Sequence, residues 1–206
     1  MGLIFSIYNN FKLKKWARFS AGKRQRILEK VEKKQAKKLN RPTLPVVVNT
    51  SPDCSYYGMF EAGTNGKQIL HINVRLLQEP HLRFHALETI FHEGRHAFQY
   101  NAIHKRKPRA FEFRKKRWIE NYAGYINSSE DHLFYGAQPI ERDAQRYAIK
   151  RLERMYRRFQ NEDDYHETLE QMKYRYESTD AELREKHGLF YRLKLKRNIR
   201  SRSKHN

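Results

Sequence analysis

The run His92-Glu93-Gly94-Arg95-His96 constrains this chain more than any other feature, because it sets two histidines four residues apart in a helix-forming segment. Residues at this spacing lie on one face of a helix, so both imidazoles can bind the same metal ion. Glu93 lies beside the first histidine, where its carboxylate can take a proton from an activated water. The H-E-x-x-H spacing predicts a Zn²⁺ cofactor, with His92 and His96 as metal ligands and Glu93 as the catalytic general base.

The residues around this motif predict that it lies on a half-buried helix. Ile90 and Phe91 precede it and Ala97 and Phe98 continue the apolar stripe at helical spacing. Gly94 opposes the helix by about 1 kcal/mol relative to alanine. We expect this glycine to leave room beside the metal.

A catalytic zinc site needs a third protein ligand, with a fourth position left for water. Glu141, which follows His96 by 45 residues, is the predicted third ligand. Pro139 marks the start of a second predicted helix, on which Glu141 shares a face with Ala144 and Ala148. Because small side chains let two helices approach closely, the Glu141 carboxylate could reach the ion bound by the two histidines.

Asp143 is the alternative acidic residue on this second helix. Its spacing from Glu141 turns it away from the ligand face, so we favour Glu141 as the ligand. Asp143 could instead orient an imidazole from behind, as zinc ligands usually require, although Gln145 is better placed for that role. His85 shares a helix face with His92 and is either a spare ligand or, more commonly, a histidine satisfied by its neighbours.

Because H-E-x-x-H is typical of metalloproteases, the working hypothesis is a zinc-dependent peptidase, and peptide hydrolysis also needs a hydrogen-bond donor for the oxyanion that forms in the transition state. Tyr135, six residues before Glu141, is the predicted catalytic donor, and Tyr147 and His104 are the alternatives. Tyrosine usually packs against its neighbours, so simple packing is the competing interpretation of both tyrosines.

Together the two motifs resemble those of the gluzincins, in which H-E-x-x-H on one helix is completed by a glutamate on a second helix. More narrowly, Glu141-x-x-Ala144-x-x-Tyr147-Ala148 resembles the E-x-x-A-[N/D]-x-[F/Y]-A signature of the ImmA/IrrE-like metallopeptidases. Gln145 stands where that family has Asn or Asp, and a long insert separates the motifs. The resemblance, over roughly residues 45 to 150, implies a compact intracellular zinc peptidase from a bacterium or phage.

Three segments before the motif predict short strands, at residues 45–50, 56–61 and 67–74. In the third, Leu70 and Ile72 alternate with His71 and Asn73 on the other face. This predicts an α+β fold, a minimal zincin-like domain with a small sheet of about three strands packed on the motif helix and the Glu141 helix. The resemblance implies that the third strand forms a wall of the cleft, where an extended peptide could add to its edge. An ordinary exposed strand is the alternative.

Residues 42–160 are predicted to form the zincin-like domain, between a basic, mainly helical N-terminal extension at 1–41 and a basic helical C-terminal extension at 161–206. Within the extensions we expect helices over residues 21–40, 165–176 and 179–196, with an acidic break at 161–164. The tail at 201–206 is expected to be disordered.

The chain is strongly basic, with 43 Lys and Arg against 23 Asp and Glu and a formal net charge of +20. The excess lies in blocks at residues 12–41, 105–117 and 192–204. Such blocks suit nucleic acid, an anionic membrane or an acidic protein partner. Aromatic residues among them could stack on unpaired bases, or could pack in the core while the lysines face solvent; they include Phe111, Phe113, Trp118, Phe190 and Tyr191.

Two functional hypotheses therefore stay open. The first is a zinc endopeptidase that acts on a protein or peptide substrate, and the second is a nucleic-acid-binding accessory protein on a zincin scaffold with a structural or vestigial metal site. The intact general base favours the first, because a structural zinc site is usually closed by a fourth Cys or His. A secreted or delivered toxin protease would share these features and differ only in its delivery.

Targeting signals in the sequence are weak. No apolar run approaches the roughly 18 residues of a transmembrane helix, and residues 2–7 lack the features of a signal peptide. The opening Met-Gly-x-x-x-Ser fits the minimal myristoylation pattern, and the single cysteine, Cys54, cannot form a disulfide within the chain. The simplest interpretation is a cytoplasmic protein, and no pattern indicates its oligomeric state.

Overall fold

The computed structural model describes residues 7–51, 53–54, 56–104 and 108–202. Helices dominate these residues, and the strands lie between the second and third helices named below. The strands are β1 (Val46–Asn49), β2 (Gly58–Ala62) and β3 (Gln68–Asn73). The α-helices are α1 (Leu13–Trp16), α2 (Ala21–Leu39), α3 (Arg75–Gln78), α4 (Arg83–His104), α5 (Glu112–Ala123), α6 (His132–Ala137), α7 (Pro139–Glu153), α8 (Tyr156–Phe159), α9 (Asp163–His187) and α10 (Tyr191–Arg202).

Some sequence predictions fall outside the described residues. They concern the Met-Gly-x-x-x-Ser start, residues 105–107 of the second basic block, and residues 203–206 at the end of the chain. Residues 201 and 202 belong to α10, so the prediction of disorder there is wrong.

The three strands form one mixed sheet in the order β1-β3-β2. β1 runs parallel to β3, with Val46 opposite Leu70, and β2 runs antiparallel to β3, with Gly58 opposite Ile72. Leu70 and Ile72 are fully buried, as the alternation predicts. The α+β class and the small sheet are confirmed. The prediction that a peptide could add to β3 is wrong, because β3 is the central strand and the outer edges belong to β1 and β2.

The motif helix α4 packs against α2, α7 and the sheet. Ala144 and Ala148 of α7 are fully buried, and α7 is the helix with the most extensive contact to α4. Small side chains thus allow the close approach that the sequence predicts, and this approach brings the first turn of α7 beside the two motif histidines.

Gly94 faces away from those histidines, toward α2. A Cβ added at Gly94 would lie 2.6 Å from Nη2 of Arg41 and 2.7 Å from the amide group of Gln35. Its carbonyl oxygen accepts a 2.9 Å hydrogen bond from Nε of Arg41. The expectation that Gly94 leaves room beside the metal is therefore wrong, because the space is taken by Gln35 and Arg41.

The main apolar core includes residues from before α2, from the middle of the chain and from the first half of α9. Phe11, Trp16 and Leu28 enter it from the N-terminal part, and Tyr165 and Met172 enter it from α9. The predicted divisions at 41/42 and 160/161 therefore do not coincide with any boundary of this core. A smaller apolar cluster holds α6, α9 and α10 together.

The C-terminal helices divide at a different point from the one predicted. α9 continues through residues 177–178 to His187, so the predicted helices over 165–176 and 179–196 are wrong in their bounds. Gly188 follows α9 with a φ of 74°, a backbone region that glycine adopts readily. In the predicted acidic break, Glu162 and Asp164 pair with the buried guanidinium of Arg83.

No helix in the described parts of the chain combines the length and the apolar character that a bilayer crossing requires.

Candidate metal centre

The three predicted metal ligands meet between α4 and α7. The Nε2 atoms of His92 and His96 lie 2.9 Å apart on successive turns of α4. Glu141, in the first turn of α7, brings Oε2 to 3.2 Å from Nε2 of His92 and Oε1 to 3.4 Å from Nε2 of His96. Ligand atoms roughly 2.0–2.2 Å from a tetrahedral zinc ion lie about 3.3–3.6 Å from each other. The three distances lie within or just below this range, so these side chains form a possible metal-binding triad, and within the described residues no other group of this kind occurs.

The charges at this triad favour a cation. Glu141 is almost fully buried, and its Oε2 accepts no hydrogen bond from the described residues. Burial alone would raise the pKa of Glu141, but the imidazoles of His96 and His92 hold it well below its usual range. Burial alone would likewise lower the pKa of His96, yet the neighbouring Glu141 carboxylate raises it. A buried carboxylate whose two oxygens lie 3.2 and 3.4 Å from two imidazole nitrogens is a donor set that suits zinc.

Gln99 fixes the ring of His96. Its Nε2 donates to the carbonyl oxygen of Ile140 at 3.0 Å and to Oδ2 of Asp143 at 2.9 Å. Its Oε1 must therefore accept the 2.9 Å hydrogen bond from Nδ1 of His96. With the proton on Nδ1, the lone pair of Nε2 faces the triad, as metal binding requires. Gln99 was not among the predicted residues, although its place three residues after His96 on the same helix could have indicated it.

Asp143 contacts the candidate ligands only indirectly. Its carboxylate accepts hydrogen bonds from Gln99 and from Nε of Arg95, the latter at 2.7 Å, and it does not join the triad. Asp143 was predicted to orient an imidazole, and it is linked to the imidazole of His96 only through Gln99. Gln145, the favoured residue for that role, contacts no imidazole by a hydrogen bond; its buried Oε1 has no hydrogen-bond partner among the described residues.

Glu93 lies beside the triad and is tied to the edge of the sheet. Its Oε2 accepts a 2.8 Å hydrogen bond from the backbone N–H of Phe60 in β2. Burial is the main cause that raises the pKa of Glu93. Gly58 permits this contact, because a Cβ there would lie 2.2 Å from Cγ2 of Thr89 and 3.2 Å from Cγ of Glu93. The predicted general base is therefore held in place by the close approach of β2 to α4.

Glu93, Tyr135 and the triad residues His92 and Glu141 line one cavity of about 220 Å³. Burial raises the pKa of Tyr135, so its hydroxyl keeps its proton and can donate a hydrogen bond. The alternative donor Tyr147 lines a different cavity.

The other two histidines that the sequence singled out lie away from the triad. His104 packs on the ring of Tyr100 at the end of α4, with 4.4 Å between the ring centroids. His85 packs against Tyr57, and it does not belong to the group of possible ligands.

Tyr125 is a site residue that no sequence signal indicated. Its hydroxyl donates a 2.7 Å hydrogen bond to Oε1 of Glu141. The residue follows α5, in a segment without periodic patterning, so only the folded chain reveals the contact. Burial and the Glu141 carboxylate raise the pKa of Tyr125, which keeps the hydroxyl a donor.

None of the protein-family models, curated proteins and solved structures that were compared with this chain matches it. A function can therefore be proposed only from the geometry of the triad and of the cleft around it.

Proposed function

We propose that the protein is a zinc-dependent endopeptidase in which His92, His96 and Glu141 hold the metal ion and Glu93 is the general base. One observation carries this proposal: His92 and Glu141, two of the three candidate metal ligands, line one cavity with the buried carboxylate of Glu93, which is not part of the triad. A structural zinc site is usually closed by four protein ligands. A triad with an adjacent base instead matches the pattern of catalytic zinc sites.

The zinc ion, when bound, would supply a water of lowered pKa and a Lewis acid for the peptide carbonyl. Glu93 takes the proton from the attacking water. Because Oε2 of Glu93 is held by the N–H of Phe60, its Oε1 is the oxygen that remains for this transfer. The raised pKa of Glu93 helps the carboxylate to keep the proton until it passes to the leaving amine.

Two tyrosines would serve this reaction in different ways. Tyr135, which lines the cavity of Glu93 and Glu141, is the candidate donor to the oxyanion of the transition state. Tyr125 holds the Glu141 carboxylate from behind and so fixes the direction of a metal ligand. We also propose that the chain is related to the gluzincins and, more narrowly, to the ImmA/IrrE-like metallopeptidases. The triad and the α+β fold with a small mixed sheet support this part of the proposal.

The test combines metal analysis with a cleavage assay on the full chain. Wild type, Glu141→Ala and Glu93→Gln are dialysed against zinc, and metal content is measured by elemental analysis. Cleavage of a mixed peptide library is then followed by mass spectrometry. Glu177→Ala, an exposed substitution of the same kind on α9, is the matched control for Glu141→Ala.

Wild type, the control and Glu93→Gln should each carry one zinc per chain, while Glu141→Ala should carry much less. Removal of a general base should slow cleavage by about 10²- to 10⁴-fold, so Glu93→Gln should bind zinc without cutting the peptides. Full zinc content in Glu141→Ala would remove that residue from the ligand set. Wild-type cleavage by Glu93→Gln would refute the proposed mechanism. Zinc in the wild type without cleavage of any peptide would favour a structural site.

A further inference from the structure

A second and larger cavity, of about 1030 Å³, lies against a different face of α7 from the one that carries Glu141. α7 contributes Arg142, Arg146 and Lys150 to it, whereas Glu141 and Gln145 of the same helix line the metal cleft. The rest of its lining comes mainly from α5, α9 and α10. We call this cavity the basic groove. It brings together parts of the second and third basic blocks, which are far apart in the sequence.

Positive charge dominates the basic groove. Its acidic side chains are Glu120, Asp143 and Asp180, and lysines and arginines outnumber them. Asp143 pairs with Arg95, and Asp180 pairs with both Arg142 and Arg192. These carboxylates therefore neutralise only part of the positive charge.

Further cations of the groove have no carboxylate partner in the part of the chain that the structure describes. Within the described residues, the ion pairs do not include Lys116, Arg117, Lys150 or Lys196. All four side chains belong to exposed residues on α5, α7 and α10. Cations from three helices around one concave surface favour a ligand that carries several negative charges in a row.

Exposed aromatic rings adjoin this charge at the start of α5. Phe113, which lines the groove, stacks on Phe111 with 5.9 Å between the ring centroids and 22° between the ring planes. Both rings are unusually open, with 71% of Phe111 and 62% of Phe113 exposed. The guanidinium of Arg114 lies 6.0 Å and 5.8 Å from their centroids. Stacked aromatic rings beside a guanidinium group form a platform on which unpaired bases can stack.

From these observations we infer that the basic groove binds single-stranded nucleic acid, with phosphates along its lysines and arginines and bases on Phe111 and Phe113. An acidic peptide would match the charge but would leave the exposed rings without a role. A duplex would keep its bases paired and away from the rings. This site is separate from the metal triad and does not depend on peptidase activity.

The charge part of the proposal is tested with a fluorescently labelled single-stranded oligonucleotide of mixed sequence. Binding to the full chain is measured by fluorescence anisotropy across a range of salt concentrations. The groove variant is Lys116→Glu/Lys150→Glu/Lys196→Glu. The matched control is Lys30→Glu/Lys33→Glu/Lys37→Glu on the exposed face of α2, which changes net charge by the same amount. Thermal melting of both variants checks that they fold.

The groove variant should bind about ten-fold or more weakly than wild type, and its slope of log affinity against log salt should fall by about 2. The α2 variant should keep most of the affinity. Equal losses in the two variants would overturn the proposal, because binding would then follow net charge alone. Tighter binding of polyglutamate or of the matching duplex than of the single strand would also overturn it.

The stacking part is tested by Phe113→Ala, with Tyr174→Ala on α9 as the control, since Tyr174 is 71% exposed and does not line the groove. Phe113→Ala should weaken binding about five-fold or more without changing the salt slope, while Tyr174→Ala should bind like wild type. Unchanged affinity in Phe113→Ala would overturn the assignment of the bases to these rings.

Discussion

The hydroxyl of Tyr125 lies 2.7 Å from Oε1 of Glu141 and donates a hydrogen bond to the carboxylate that completes the candidate metal-binding triad. The backbone next to Tyr125 is anchored firmly. The buried Gln138, just before α7, accepts from the N–H of Ile126 and donates to its carbonyl oxygen. The same Gln138 accepts from the side chain of Asn121 at the end of α5. The helix that carries Glu141 and the segment that carries Tyr125 are thereby held to each other.

Tyr125→Phe should therefore weaken zinc binding about ten-fold or more, as is typical when a group that orients a metal ligand is removed. Zinc affinity is measured by competition with a chromophoric chelator. Tyr165→Phe is the control, because the hydroxyl of the buried Tyr165 bonds the carbonyl oxygen of Leu152, remote from the triad. The control should lower the free energy of unfolding by about 1–3 kcal/mol and leave zinc affinity unchanged. Wild-type zinc affinity in Tyr125→Phe would show that the hydrogen bond does not orient the ligand.

Gly58→Ala should push β2 away from α4, because its new Cβ would lie 2.2 Å from the stiff side chain of the buried Thr89. We expect the free energy of unfolding to fall by about 1–3 kcal/mol. Cleavage should slow as Glu93 loses its bond to Phe60, while zinc content should be retained. Urea unfolding and elemental analysis measure the two effects. The control is Gly22→Ala on α2, where an added Cβ would meet no atom within 4 Å. This substitution should stabilise the chain by up to about 1 kcal/mol, because alanine favours a helix more than glycine does. A Gly58→Ala protein as stable as wild type would contradict the account.

The ion pair between Glu32 and Arg41 is fully buried and joins α2 to the loop before β1. Glu32→Gln would leave the Arg41 cation buried without its carboxylate, which should cost about 3–5 kcal/mol of unfolding free energy. Glu79→Gln is the control, because its partner Arg75 is 61% exposed and such surface pairs contribute about 1 kcal/mol or less. Urea unfolding of the two variants gives the comparison, and similar losses in both would refute the role assigned to the buried pair.

A fragment of residues 42–160 should fail to fold. It lacks Phe11, Trp16 and Leu28 on one side and Tyr165 and Met172 on the other, all of which belong to the main apolar core. Circular dichroism of the fragment should show little cooperative thermal unfolding, whereas a chain of residues 7–202 should unfold in one transition. Cooperative unfolding of the 42–160 fragment would support the division into a domain with two extensions.

The parts of the site that could be predicted from the sequence are those that follow from local periodicity. His92 and His96 share a face because the helix repeat sets their spacing, and Pro139 with Ala144 and Ala148 indicated the start of α7 and its close packing. Tyr125 and the N–H of Phe60 could not be found in this way. Their contacts join segments that are distant in the sequence, so no local pattern shows which residues they meet.

The errors in the fold have similar causes. Alternation along β3 shows which face is buried, but it does not show which strands pair with its two edges, so the central position of β3 was missed. Gly188 was present as a signal for the end of α9. The prediction instead divided the segment near Ser178, which the helix accommodates. The N-terminal extension, which was inferred from the high charge of that segment, stays a prediction; Phe11 and Trp16 of the segment are buried in the main apolar core.

The motif H-E-x-x-H leaves its two middle positions unspecified, but the packing of this fold constrains both. A side chain at Gly94 would displace the ends of the Gln35 and Arg41 side chains, which lie within 2.7 Å of an added Cβ. Arg95 pairs with Asp143, which in turn bonds the glutamine that orients His96. A search pattern written from packing as well as from metal binding would therefore be H-E-G-R-H followed by E-x-D. Such a pattern would separate chains that share this helix arrangement from chains that share only the candidate metal ligands.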